Sequence, residues 1–148
     1  MKRFEFPLDR VRRWRAEQAS LEELKLQQFR AEAERLAAQK RALEAEASES
    51  VRAVLAQSTI EPIELTTLES YGLHLRRRIF ELENLRRQAE AKVLEQRLRF
   101  IEARRQFELL DRLHQKARHE WVAASNKEQE ELAAEMFLAQ AARKAARR

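Results

Sequence analysis

Residues that let a chain reverse direction are so scarce here that the sequence can turn sharply about once. It holds one glycine, Gly72, two prolines, Pro7 and Pro62, two asparagines, Asn84 and Asn126, and two aspartates, Asp9 and Asp111. Most turn types draw on these four residue types, so sandwiches, barrels and doubly wound sheets are excluded. The remainder is helix-forming. Ala, Glu, Lys, Leu and Arg make up 97 of the 148 residues, well beyond the half that already points to a long helix or coiled coil.

Stop and start signals coincide only at Gln57-Ser58-Thr59-Ile60-Glu61-Pro62 and the residues after it. Pro62 has no N–H and turns Glu61 away from helical angles. Thr66 and Glu69 have the spacing of a capping box, which satisfies two orphan backbone donors. The expectation is therefore one helix over about 8–56, a turn over about 57–66 and a second helix over about 67–146. Gly72 lies in the second turn of that helix, where close backbone approach is expected.

Both runs carry heptads. In the first, Leu26, Phe29, Ala33, Leu36, Lys40, Leu43, Ala47, Ser50 and Val54 follow a 3,4 spacing. Phe4, Leu8, Val11, Trp14 and Leu21 continue the apolar face less regularly, and a register slip is expected near Leu21-Leu24-Leu26. In the second run one seam position holds Leu68, Leu75, Leu82, Ala89, Gln96, Ala103, Leu110, Ala117 and Ala124. The other holds Gly72, Ile79, Arg86, Val93, Phe100, Phe107, His114 and Trp121. Sustained heptads of this kind argue for a coiled coil.

Folding back at Pro62 brings seam onto seam when facing residue numbers add to 122, so that Leu43 faces Ile79 and Phe29 faces Val93. The fold class expected is all-α, a single domain consisting of a long antiparallel two-helix coiled-coil hairpin with an unpaired C-terminal helical extension. At 1.5 Å per residue the helices would be about 73 Å and 120 Å long, leaving roughly 30 residues without a partner.

Enzymatic chemistry is not expected. Without cysteine there is no disulfide, thiolate or sulfur-ligated zinc. His74, His114 and His119 are the only histidines, His114 and Glu120 lack the spacing of a helical metal pair, no HExxH is present, and no glycine-rich phosphate loop precedes a helix. No cofactor is anticipated, and His114 reads as a packed seam residue. Nothing approaches 18 consecutive apolar residues, and the opening residues run straight into charge, so a cytosolic chain with no membrane insertion is expected.

Two features ask for a partner. Both ends are basic: Lys2, Arg3, Arg10, Arg12, Arg13 and Arg15 at the start, Arg143, Lys144, Arg147 and Arg148 at the finish. Such an end fits nucleic acid, an acidic groove of a protein, or mere solvation; the 25 acidic residues among 30 basic ones argue against a continuous phosphate surface. The extension also carries Trp121, Val122, Leu132, Met136, Phe137 and Leu138, more apolar surface than an unpartnered helix should expose. A partner protein, fold-back or dimerisation would each cover it.

The opening Phe4-x-Phe6-x-Leu8-Asp9-x-Val11-x-x-Trp14-Arg15-x-Glu17 resembles the start of the flagellar export protein family FliJ. Lys127-Glu128-Gln129-Glu130-Glu131-Leu132-Ala133-Ala134-Glu135 is similar to that family's C-terminal Glu-Gln-rich block, departing from its Lys and Asp at Glu130 and Glu131. The resemblance implies a non-enzymatic stalk of the type III export apparatus, peripheral to the inner membrane at the flagellar base. It would sit in the hexameric export ATPase and promote its assembly and activity. Its further partners would be the export gate membrane protein and the export chaperones. Phe4, Leu8, Arg10, Val11, Arg12, Arg13, Trp14, Trp121, Leu132, Met136 and Phe137 would meet the ATPase ring. Leu43, Tyr71, Leu75 and Ile79 would lie toward the gate. Two other readings are the equivalent stalk of a virulence secretion system and an Arg-rich coiled coil that binds RNA or the ribosome.

Overall fold

The computed structural model describes residues 3–147, so Lys2 and Arg148 of the two basic ends lie outside the described residues. It is an all-α helical hairpin of α1 (Asp9–Leu55) and α2 (Pro62–Ala146), with no strand among the described residues. Packing divides the chain into two units, one of residues up to Ala19 with those from Ala103 on, the other Ser20–Glu102.

The turn is tighter than the sequence spacing predicts. α2 starts at Pro62 rather than near Thr67, because proline is pre-organised for the first helical position and its missing N–H would be unsatisfied there anyway. Glu61 is the cap: its N–H donates to Glu64 Oε2 at 3.1 Å, and its carbonyl accepts from the N–H of Glu64 at 3.0 Å. Thr66 and Thr67 are interior, their hydroxyls donating to the carbonyls of Pro62 and Ile63 at 3.1 and 2.9 Å. The capping box expected from Thr66 and Glu69 is thus absent, and the Glu64 carboxylate instead satisfies the Glu61 N–H at the start of α2.

In Ser20–Glu102 the core follows the expected seam. The buried residues of α2 are Leu75, Leu82, Ala89 and Gln96, one per heptad. Leu36, Leu82 and Ala89 form the central cluster, with Ala33 and Leu43 against it. Lys40 Nζ reaches Glu83 Oε2 at 2.9 Å, within one residue of the register in which facing numbers add to 122. Gly72 lies in ordinary helix, and a Cβ there would meet only the Arg76 side chain at 3.8 Å. No close approach of backbones demands it.

The register slip expected near Leu21-Leu24-Leu26 does not occur. Burial in α1 runs through Arg12, Arg15, Ala19, Glu22, Leu26 and Phe29, in steps of 3 and 4. Leu21 and Leu24 are each 51% exposed. The polar seam residues are held because each finds a partner on α2 while its aliphatic stem packs. Gln96, only 2% exposed, donates from Nε2 to the Glu22 carbonyl at 3.1 Å and to its carboxylate.

Candidate interaction site at the chain termini

The first nineteen residues and those from Ala103 on make the unit that carries most of the expected contact residues. α1 begins with Asp9, whose N–H donates to the Phe6 carbonyl at 3.0 Å. An acidic side chain suits this end of the helix dipole. Arg12 Nη2 lies 2.8 Å from Asp9, and Arg12 Nη1 lies 3.1 Å from Asp111 on α2. Hydrogen bonding to Arg12 holds the Asp9 carboxyl below its ordinary value, and the same bond raises Arg12. Arg15 Nη1 donates to Gln106, and its guanidinium stands 4.8 Å from the Trp14 ring centroid. Arg12 is therefore a structural residue of the seam, whereas Arg10 and Arg13 are exposed.

Before α1, the segment Arg3 to Phe6 lies against α2. Phe4 stacks edge-on to His114 at 5.5 Å and tilted to Trp121 at 5.9 Å; Phe6 meets His114 edge-on at 5.2 Å. This corrects the expectation that Trp121 belongs to a bare extension: Phe4 covers it, and both are half-buried. Beside this cluster is an open groove of about 510 Å³, with Arg3, Arg10, Arg12 and Arg13 on its walls together with Glu5 and Asp9.

The unpartnered stretch starts later than expected. From residue 126 to residue 147 every position is exposed, and Leu132, Met136, Phe137 and Leu138 are 54–71% so. Leu8, Val11 and Trp14 are also exposed, at 42–50%. The sequence reading missed Leu109 and Leu113, exposed at 54% and 51%. Their signal was the apolar i,i+4 pair outside the seam.

The residues expected toward a gate lie in the other unit and differ in access. Leu75 is 3% exposed, Leu43 packs on the central cluster, and Ile79 is half-buried, so all three serve the seam. Tyr71 is half-buried, with its hydroxyl donating to Glu46.

No His, Cys, Asp and Glu group among the described residues could hold a metal ion. No described helix is long and apolar enough to cross a membrane. The geometry defines a class, the antiparallel helical hairpin with apolar and cationic side chains at its termini. No protein-family model, no curated protein and no solved structure matches the chain.

Proposed function

We propose that this chain is a non-enzymatic stalk and coupling factor of the flagellar type III export apparatus, acting in the cytoplasm beside the inner membrane. Its terminal unit enters the hexameric export ATPase and promotes assembly and activity, and its other contacts are the export gate and the export chaperones. The observation that carries the reading is the part of α2 from residue 126 to residue 146, exposed throughout yet bearing Leu132, Met136 and Phe137. It is supported by the resemblance of the opening residues and of Lys127 to Glu135 to that export family.

A stalk of this kind does no chemistry. It acts by binding some subunit conformations of a ring better than others, which shifts the ring's conformational equilibrium. The exposed Arg10 and Arg13 supply charge for that contact, and Leu8, Val11 and Trp14 supply apolar area.

The test is addition of the purified chain to the purified export ATPase of its own source, in moderate salt with nuclease present. A raised hydrolysis rate is expected, with loss of the increase on Arg10→Glu/Arg13→Glu and on Met136→Ser/Phe137→Ser at unchanged helicity. No stimulation, or co-purification with ribosomal proteins that nuclease abolishes, would refute the reading. The second outcome would point instead to phosphate binding, with its steep salt dependence.

A further inference from the structure

The hairpin end, within Ser20–Glu102, has a charge opposite to that of the whole chain. Between Ala42 and Leu75 stand Glu44, Glu46, Glu49, Glu61, Glu64 and Glu69 against Arg52 alone, a net of −5 in a protein whose total is +5. The same stretch exposes Leu55 at 66%, Ile63 at 70% and Leu65 at 50%. Between the last turns of α1 and the first turns of α2 lies a hollow of about 410 Å³, its walls including Ala53, Val54, Ile63 and Leu68. Small side chains at Ser50 and Ala53 leave this space unfilled. Tyr71, hydrogen-bonded to Glu46, and Glu64, bonded to the Glu61 N–H, also line it or hold its rim.

We propose that the hairpin end is a docking site for a cationic amphipathic segment of another protein. An apolar side chain of that segment fills the hollow between Ala53, Val54, Ile63 and Leu68, and its Lys or Arg side chains face Glu46, Glu61 and Glu64. Charge selects this occupant. The turn of a second copy would bring the same carboxylates against each other, and an anionic lipid surface or a nucleic acid would be repelled. Apolar anchors in pockets supply most of the energy of such contacts, while rim charges set orientation and encounter rate. The inference deepens the stalk reading by naming the chemistry of the partner at this end, and rests on that reading only for the partner's identity.

The experiment uses the full chain and a fluorescent leucine–lysine peptide of about 18 residues, five helical turns. The controls are the same peptide with glutamate in place of lysine and vesicles of phosphatidylglycerol. Binding is expected to the lysine peptide alone. Ala53→Trp, which fills the hollow from an exposed position, weakens it about thirtyfold, the scale of one lost anchor. Glu46→Gln/Glu61→Gln weakens it and reduces its salt dependence, whereas Glu128→Gln/Glu131→Gln on the far segment leaves it unchanged. Far-ultraviolet circular dichroism confirms that each variant is folded. The proposal is overturned by absence of binding, by equal binding of Ala53→Trp, by an equal effect of the far-segment substitutions, or by binding to the vesicles. Failure of ATPase stimulation alongside the expected peptide binding would sink the stalk reading and leave the docking site standing.

Discussion

Leu82 is the residue on which the packing account depends most. It is 2% exposed and lies against Leu36 and Ala89, with Ala33 and Leu43 beside them. Leu82→Ala removes three carbons, about 2.4 kcal/mol at about 0.8 kcal/mol per methylene. A cavity term adds to this, because Ala33 and Ala89 are too short to reach the space vacated. The total expected is about 3–4 kcal/mol, a large share of the ~5–15 kcal/mol that holds a domain together. The matched control is Leu98→Ala. Leu98 is 70% exposed, so less than a third of its area is at stake and the loss should be below about 1 kcal/mol. Thermal unfolding followed at 222 nm should show a drop of roughly 6–16 °C for Leu82→Ala and less than about 4 °C for Leu98→Ala. Equal shifts would mean that the seam at Leu82 is not what stabilises the hairpin.

Several other outcomes can be checked with the same material. Glu83 is clamped by Arg86 at 2.8 Å, Lys40 at 2.9 Å and Arg87 at 3.3 Å, which holds its carboxyl far below the ordinary value of 4.5. A depressed acid stabilises the fold above its unfolded value and loses that contribution as the pH falls below it. The acid limb of a stability–pH curve below about 4.5 should therefore flatten in Glu83→Gln, and an unchanged limb would remove this cluster from the account. Gly72→Ala should raise stability by about 0.5–1 kcal/mol, since the site is helical and open; a loss in urea denaturation would reveal a close approach not evident in the packing. Phe4→Ala in a Trp14→Phe background should red-shift the emission of Trp121 and cost about 0.5–1.5 kcal/mol. An unmoved spectrum would mean that the opening segment does not lie on α2.

Much of the hairpin was legible because two long-range facts were written locally. The scarcity of turn residues fixed a single reversal, and the heptad of Leu75, Leu82, Ala89 and Gln96 fixed the buried face. What was not legible depended on which of two costs was larger. Near Leu21 and Leu24 the apolar pattern leaves the seam, and pattern alone favours a slip. The structure keeps the 3,4 spacing of burial along α1, because Arg12, Arg15 and Glu22 each find a partner on α2. Those partners, Asp111, Gln106 and Gln96, lie more than seventy positions away, so no window of the sequence reveals them. At the turn, Pro62 was read as a stop although it is equally a first helical residue, and the Glu61–Glu64 cap decided between the two. At the termini, the aromatic spacing of Phe4 and Phe6 suggested a contact face but not that the segment would lie on His114 and Trp121.

The uninterrupted heptads of Ser20–Glu102 have a consequence for how this unit can change length. A core of interlocking shapes tolerates insertions only in its loops. A seam of repeating layers tolerates them in its middle, provided that both arms change together by seven residues. Excising 30–36 with 86–92 would rejoin Phe29 to Ala37 and Leu85 to Val93 in unchanged phase. It would shorten each arm by about 10.5 Å and leave the hollow at the turn as it was. The unit is in that sense a gauge graduated in heptads, whose span can be reset without redesigning either of its ends.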